Sequence, residues 1–311
     1  MVQNSLVQKK QTFSAFITAD AVKNKVNQMV AGQDGNKFVT SLISLVSNNP
    51  ALSECEHSTI LSAALLGESL KLSPSPQLGQ FYLVPFNDKN RGKVAQFMLG
   101  YKGYIQLAIR SGYYKKLNVL AIKEGELINY DPLEETIQVD LILGEEQREK
   151  TPTIGYYAMF EYTNGFRKAI YWSKEKMLLH ADKYSQAFSK DGLTFEWKGG
   201  KSYTKVSYED YINKNYNEKD EWLYSSFWYK DFDEMAKKTM IRQLISKWGI
   251  MSVDFQKAYE SDSAVIKENG QPEFVTNENN YQEPQQIEQK EEREEIQTGA
   301  KGEDVLNNFE E

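Results

Sequence analysis

Charged and apolar side chains are distributed unevenly along this 311-residue chain, and their distribution limits which part can form a core. From Glu260 to the C-terminus there are 15 acidic and 4 basic residues, with few large apolar ones. Such a composition buries too little surface to offset the entropy lost on ordering. We therefore expect residues 261–311 to be a disordered acidic tail, and the mildly basic remainder to supply the core.

Helical and strand patterns divide the N-terminal half of that remainder. Residues 1–30 are polar and weakly patterned, which indicates a loose arm or a short helix. Apolar residues recur at three- and four-residue spacing over 37–46 and 56–72, which predicts two amphipathic helices. Strand-like segments at 80–85 and 93–99 flank a polar turn and predict a β-hairpin.

The C-terminal half of the core contains one more clear hairpin and one long helix. Asn164-Gly165 predicts a tight turn between strands at 153–162 and 166–172. Residues 189–220 are tyrosine-rich and poorly patterned, so they are predicted to be loop with short helix. A capping-box pattern predicts a long helix over 231–250.

Several protein classes are disfavoured by what the sequence lacks. No apolar run approaches the ~20 residues of a membrane-spanning helix, and the N-terminus has no apolar signal core. The single cysteine, Cys55, excludes an internal disulfide, and the presence of only two histidines argues against zinc chemistry. We expect a cytoplasmic protein that needs no cofactor and holds no metal.

The segment from Ser69 to Lys123 is the most unusual in composition. It contains nine basic residues and a single acid, Asp88, and eight tyrosines or phenylalanines are interleaved with them. Single-stranded nucleic acids are bound by cations that follow the phosphates and by flat rings on which bases stack. The segment therefore favours nucleic-acid binding, although a half-exposed sheet with solvated lysines has the same composition.

Two sets of basic residues have helical spacing. Lys102, Gln106 and Arg110 follow one another at four-residue intervals and share one face of a helix predicted over 100–112. Gly100 and Gly103 in this helix permit the close approach of another backbone or a phosphate. The second set lies on the long C-terminal helix and comprises Lys237, Lys238 and Arg242. An ordinary solvated helix explains either spacing equally well.

Two other function classes stay open at this point. Glu196-Trp197-Lys198, with Asp191 shortly before, has the carboxylate-x-lysine form of a metal-dependent nuclease, although the carboxylates are close in sequence and the region has no clear fold pattern. A replication scaffold that binds proteins, with no direct DNA role, is the structural alternative. Nothing else in the sequence suggests a catalytic residue, so we expect that the chain is not an enzyme.

Four blocks of the sequence form a recognisable pattern. The first two are Leu72 to Phe86, which contains Ser73-Pro74-Ser75-Pro76, and Gly100 to Gly112. The other two are His180 to Ser185 and Asp233 to Leu244. Together they resemble the RecT family of phage and prophage recombinases. The resemblance covers roughly residues 37–251 and is specific, because all four blocks agree in order and spacing.

The resemblance implies an α+β fold, in which a small antiparallel β-sheet with a β-hairpin packs on helices, as in single-strand annealing proteins. It implies an ATP-independent protein that binds single-stranded DNA, pairs it with a complementary strand through an annealed duplex intermediate, and promotes homologous recombination and DNA repair. Such proteins form homo-oligomeric rings or filaments and work with a phage exonuclease. Residues 31–260 would then form the DNA-binding, annealing and oligomerisation domain.

Family and composition together assign DNA contacts to specific residues. The predicted contacts are Lys102, Gln106, Arg110, Lys115, Lys116, Arg91, Lys237, Lys238 and Arg242, with Arg91 at the tip of the first hairpin. The aromatic residues of 203–229, including Trp222, Phe227 and Trp228, are candidates either for contacts between protomers or for the core. In the tail, Val305, Leu306 and Phe309 form a small apolar group among acids, which suits docking to an exonuclease or a single-strand DNA-binding protein.

Overall fold

The structure is a computed structural model that describes residues 11–30, 34–88, 90–185, 187–197 and 201–274. Its helices, in chain order, are α1 (Phe13–Ile17), α2 (Asp20–Met29), α3 (Asp34–Ser47), α4 (Pro50–Ser53), α5 (His57–Ser69), α6 (Tyr101–Arg110), α7 (Glu145–Lys150), α8 (Lys174–Tyr184), α9 (Tyr208–Ile212), α10 (Phe227–Lys230), α11 (Phe232–Trp248) and α12 (Val253–Glu260). A 3-10 helix spans Glu218–Tyr224.

The strands are β1 (Phe81–Asp88), β2 (Gly92–Leu99), β3 (Tyr114–Lys123), β4 (Leu127–Asp131), β5 (Thr136–Val139), β6 (Thr153–Tyr162), β7 (Arg167–Ser173), β8 (Leu193–Trp197), β9 (Lys201–Lys205), β10 (Ala264–Ile266) and β11 (Pro272–Glu273). They form a four-stranded sheet in the order β1-β2-β10-β11, a three-stranded sheet in the order β3-β6-β7, and two hairpins, β4-β5 and β8-β9. Every pair is antiparallel, so the α+β expectation with a small antiparallel sheet is confirmed.

One large apolar core holds the four-stranded sheet, the inner face of the three-stranded sheet and the long helix together. Phe81 and Phe97 stack in it with ring centroids 5.2 Å apart, and Phe160 on β6 and Ile241 on α11 are fully buried. The predicted cap of α11 is confirmed, because the Asp231 side chain accepts a hydrogen bond from the Glu234 amide. Both predicted hairpins, β1-β2 and β6-β7, are also present.

The N-terminal region is helical in the described residues from 11 onward, and it packs on the main core. Phe13 and Ile17 of α1 and Val26 of α2 are buried there. Of the two alternatives predicted for residues 1–30, the helical one therefore applies to 13–29, and residues 1–10 lie outside the described part.

Two expectations about irregular structure are wrong. Residues 193–205, predicted as part of a loop with short helix, contain the hairpin β8-β9, in which Thr194 pairs with Thr204. Residues 264–273, predicted as the start of a disordered tail, form β10 and β11, and Ala264 pairs with Phe97 of β2. Burial of the apolar side chains at 264–266, two of which, Ala264 and Ile266, lie in the main core, explains this order. The rest of the predicted tail, from residue 275, lies outside the described residues.

The acidic segment between β3 and β6 covers part of the outer face of the three-stranded sheet. Its hairpin β4-β5 packs over Tyr157 and Met159 in a second, smaller apolar cluster. One acid of this segment, Glu126, is fully buried. Its carboxylate accepts a 2.6 Å hydrogen bond from Arg148 Nε, so the burial is compensated within the segment.

Candidate nucleic-acid interface

Helix α6 begins directly after the hairpin β1-β2, and two glycines allow this close junction. The Gly100 amide donates a 2.8 Å hydrogen bond to the Gln80 carbonyl oxygen. A Cβ atom at Gly100 would lie 2.1 Å from the Gly79 carbonyl oxygen, and one at Gly103 would lie 2.1 Å from that of Gln80. No side chain fits at these distances. The predicted close approach is therefore made by the backbone of residues 79–80.

One polar face of α6 is turned to solvent. Lys102 and Gln106 are exposed on it, as the four-residue spacing predicted. Arg110 is also exposed, and its Nη2 donates a 2.7 Å hydrogen bond to the Leu70 carbonyl oxygen just after α5. This contact holds the guanidinium group in place at the end of the face.

The ring of Tyr101 joins the two predicted sets of basic residues. Lys237 Nζ lies 4.9 Å from the ring centroid, and Lys102 Nζ lies 5.9 Å from it. Both distances are within the range of cation–π attraction. Lys237 also forms an ion pair with Glu234 on its own helix. We call Tyr101, Lys102 and Lys237 the Tyr101 site, because they bring α6 and α11 to one place.

Further aromatic rings lie beside the Tyr101 site. The rings of Tyr82 and Phe227 are 6.0 Å apart, and both residues line a cavity of about 30 Å³ together with Tyr101. Phe227 is 41% exposed, whereas its neighbour Trp228 is buried. An exposed ring, Phe227, and two half-buried ones next to cations match the combination of stacking surface and charge by which single-stranded nucleic acids are bound. Phe227 was considered from sequence only as a protomer or core contact, so its place beside the Tyr101 site is a new observation.

Lys238 and Arg242 lie on the same helix as Lys237 but in a different environment. Lys238 Nζ donates a 2.8 Å hydrogen bond to Asp262 Oδ1, and Arg242 Nη1 donates to Asp262 Oδ2 at 3.1 Å. Asp262 also accepts from the Leu99 amide at 2.9 Å. Lys238 is buried, and Asp262 is only 1% exposed. The direct DNA contacts predicted for these two bases stay predictions, and the geometry favours an indirect role for Lys238.

The electrostatics of this cluster follow from its burial. Burial alone would raise the pKa of Asp262, but the charges of Lys238 and Arg242 outweigh it and hold the pKa below its ordinary value. Burial lowers the pKa of Lys238, and attraction to Asp262 opposes that shift. The carboxylate therefore stays ionised at neutral pH and compensates the buried ammonium group.

The remaining predicted contacts also have acidic partners. At the hairpin tip, Arg91 Nη2 lies 2.8 Å from the Glu56 carboxylate, which ties the tip to the N-terminus of α5. On β3, Lys115 and Lys116 lie 2.6 Å and 3.6 Å from the Glu161 carboxylate. Both lysines are exposed. DNA contacts by Arg91, Lys115 and Lys116 stay predictions as well.

Asp262 is the important residue that sequence reasoning missed, because it lies in a polar segment assigned to the tail. The apolar triplet Ala264-Val265-Ile266, two residues later, was the available signal that the fold continues there.

Among the carboxylates considered for a metal-dependent nuclease, Glu196 lies on β8. Among the residues that the structure describes, no group of three His, Cys, Asp or Glu side chains is placed to hold a metal ion.

The sequence comparisons decide the family. The model of the RecT family matches residues 36–295, which is most of the chain. The chain belongs to the RecT family. RecT-family proteins anneal DNA strands in recombination and are not enzymes, in agreement with the predicted absence of catalysis.

Two curated proteins are similar to this RecT-family chain. One is the uncharacterized protein YqaK of Bacillus subtilis strain 168, which is 34% identical over 251 residues, 81% of this chain and 72% of YqaK. The other is Protein RecT of Escherichia coli strain K12, 28% identical over 216 residues, 68% of this chain and 65% of that protein. The match thus spans slightly less than two thirds of the E. coli protein.

Among the helices of the described residues, none has the length and apolar character of a membrane span.

Proposed function

We propose that this chain binds single-stranded DNA along the exposed face of α6 and the Tyr101 site, and anneals it to a complementary strand without nucleotide hydrolysis. The observation that carries the proposal is the convergence of Lys102 and Lys237 on one ring, beside the exposed Gln106 and Arg110. These four residues come from the two predicted basic helices. They lie within two of the blocks that resemble the family.

Annealing requires that the bound strand keeps its base edges available. Contacts from Lys102, Arg110 and Lys237 to phosphates hold the strand and reduce repulsion of the incoming strand, and they do not depend on sequence. Tyr101 and Phe227 provide faces for stacking. The chain therefore needs no covalent step, and the gain in rate comes from holding one strand extended.

Several copies are needed for a useful length of DNA. Helix α6 has ten residues, which corresponds to about 15 Å along its axis and therefore to only a few nucleotides. We accordingly propose that the chain acts as a ring or filament on single-stranded DNA and on the annealed duplex intermediate. Docking of an exonuclease or a single-strand DNA-binding protein through the acidic tail is also a proposal, and it concerns residues outside the described part.

The proposal is tested by mixing complementary fluorescent oligonucleotides with the purified chain, with and without ATP and with and without magnesium. We expect annealing faster than the protein-free rate in the absence of ATP, with both oligonucleotides intact. An unchanged rate at saturating protein, or a strict need for ATP, would contradict it. Magnesium-dependent shortening of the oligonucleotides would support the nuclease alternative instead.

A further inference from the structure

A groove lies on the outer face of the three-stranded sheet, where the hairpin β4-β5 leaves it uncovered. Its volume is about 570 Å³, and its apolar lining comprises the exposed Ile109, the half-buried Leu117 and the buried Met159, which belongs to the small cluster beside β4-β5. Ile109 is 58% exposed, although it is a large apolar residue at the end of α6. Burial of this exposed apolar side chain by a protein partner would remove apolar surface from water, which favours association.

Basic residues surround the groove. Lys116, Glu161 and Arg167 lie side by side across β3, β6 and β7. Lys115 and Lys116 share the single carboxylate of Glu161, and Arg167 is exposed on the other side of it. Three bases therefore face one acid, and the groove favours an occupant that is both apolar and acidic. We call it the basic groove.

The opposite end of the same sheet carries a surface of this complementary kind. Between Glu124 and Glu149 there are nine acidic residues and one base, Arg148, and two of these acids, Glu126 and Glu135, are paired with Arg148 and Lys168. Leu143 is 94% exposed, and it is followed on α7 by the exposed carboxylates of Glu145 and Glu149 and by Glu146, which pairs with Lys150. We call residues 141–149 the acidic end.

The acidic end is held in a fixed conformation before any partner arrives. Glu126 accepts hydrogen bonds from the Ile142 amide at 3.2 Å and from Arg148 Nε at 2.6 Å. Arg148 Nη2 also donates to the Ala121 carbonyl oxygen on β3 at 2.7 Å. These contacts fix both sides of the exposed Leu143, so little entropy is lost when it is buried by a partner.

We infer that the acidic end of one copy docks in the basic groove of the next copy. The two surfaces lie at opposite ends of β6, about 25 Å apart for eight residues at ~3.3 Å each. A contact between different surfaces at opposite ends is head-to-tail, and it generates a ring or an open filament. This inference rests on the proposed function, in which copies assemble on DNA, and it adds the surfaces that join them.

A pair of charge-reversed variants tests the inference. The groove variant carries Lys116→Glu and Arg167→Glu, with Glu161→Gln to avoid three adjacent carboxylates. The end variant carries Glu145→Lys and Glu149→Lys. In each variant alone, the end of one copy and the groove of the next carry charges of the same sign, so the copies repel one another. We therefore expect mass photometry to give the mass of one chain, 35.8 kDa. In an equimolar mixture every junction between unlike copies has opposite charges again, so we expect assembly to return.

Two controls separate the interface from folding. Lys230→Glu with Lys257→Glu also reverses exposed bases, and we expect this variant to assemble as the wild type does. Leu143→Ser changes a solvated side chain, so we expect the thermal unfolding temperature to stay unchanged. At a protein concentration at which the wild type is only partly assembled, we expect this variant to reduce the assembled fraction at least threefold. Val253→Ser, at an 81% exposed position on α12, is the matched substitution and should have no such effect.

The measurements are made with and without a long single-stranded oligonucleotide. Variants that assemble as the wild type does, a mixture that stays at one-chain mass, or a wild type that is monomeric in both conditions would overturn the inference. Loss of DNA affinity in the groove variant with normal assembly would instead make the groove a DNA surface, which also overturns it. Wild-type annealing activity is scored separately, so failure of the interface does not imply failure of the proposed function.

Discussion

Lys238 Nζ donates a 2.8 Å hydrogen bond to Asp262 Oδ1, and this buried pair connects α11 to the segment that leads into β10. The same carboxylate accepts from Arg242 and from the backbone of β2. The folded unit therefore depends on residues beyond α12, and we expect its C-terminal boundary to lie near Phe274.

Truncation tests that boundary. A chain ending at Phe274 keeps Asp262 and β10, and we expect its unfolding free energy, measured by urea denaturation, to equal that of the full chain. A chain ending at Glu260 leaves Lys238 buried without its partner, which costs about 3–5 kcal/mol when a buried ion pair is broken. The shorter chain should therefore be markedly less stable.

Equal stability of the two truncated chains would show that Asp262 and β10 do not contribute to the fold. The same variants test the role of the tail. Residues 275–311 carry 11 acidic and 3 basic residues and repel phosphate, so their removal should leave the affinity for single-stranded DNA unchanged or raise it. A large loss of affinity in the folded chain ending at Phe274 would assign the tail to the DNA-binding surface.

Gly103 provides a second stability prediction, in which two effects oppose one another. Replacing a helical glycine by alanine normally stabilises a helix by up to ~1 kcal/mol. At Gly103, however, the new Cβ atom would lie 2.1 Å from the Gln80 carbonyl oxygen. Overpacking of this kind costs about 1–3 kcal/mol, so we expect Gly103→Ala to lower the unfolding free energy. Gln106→Ala, on the exposed face of the same helix, is the control and should be neutral or stabilising.

The ion pair at Asp262 also predicts a dependence of stability on pH. Because the pKa of Asp262 is lowered in the folded chain, its contribution is fully present above the ordinary value of 3.8 and is lost as the pH falls below it. The unfolding free energy should decrease over that acidic range. In the double variant Asp262→Asn and Lys238→Met the decrease should be smaller, and equal slopes for the two proteins would contradict the assignment.

The sequence predicts regular elements well where local signals are strong. The Asn164-Gly165 turn and the Asp231 cap both depend on neighbours within a few residues, and both were placed correctly. The hairpin β8-β9 and strand β10 have weak local patterns, and β10 is ordered by pairing with Phe97, more than 160 residues away. Likewise, helical spacing placed Lys238 on a basic stripe but did not reveal the distant carboxylate that buries it.

Binding measurements separate bases that contact DNA from bases that support the fold. Lys102→Ala should weaken binding to all sequences and reduce the dependence of affinity on salt by about 0.7 in log–log slope, because one phosphate contact is lost. Its unfolding free energy should not change, since Lys102 is exposed. Lys238→Ala should instead lower the unfolding free energy. Lys257→Ala should alter neither the unfolding free energy nor the salt dependence of DNA affinity. A normal salt slope for Lys102→Ala would remove it from the interface.

The central claim is that the Tyr101 site and the exposed face of α6 hold the strand that is annealed. Its most direct test is the annealing rate of complementary oligonucleotides, without nucleotide, for the wild type and for the pair Lys102→Ala with Lys237→Ala. We predict that the wild type accelerates annealing and that the double variant Lys102→Ala with Lys237→Ala, although folded, accelerates it at least tenfold less. The control variant Lys230→Ala with Lys257→Ala should accelerate annealing as much as the wild type. Full acceleration by the folded Lys102→Ala and Lys237→Ala variant would contradict the account.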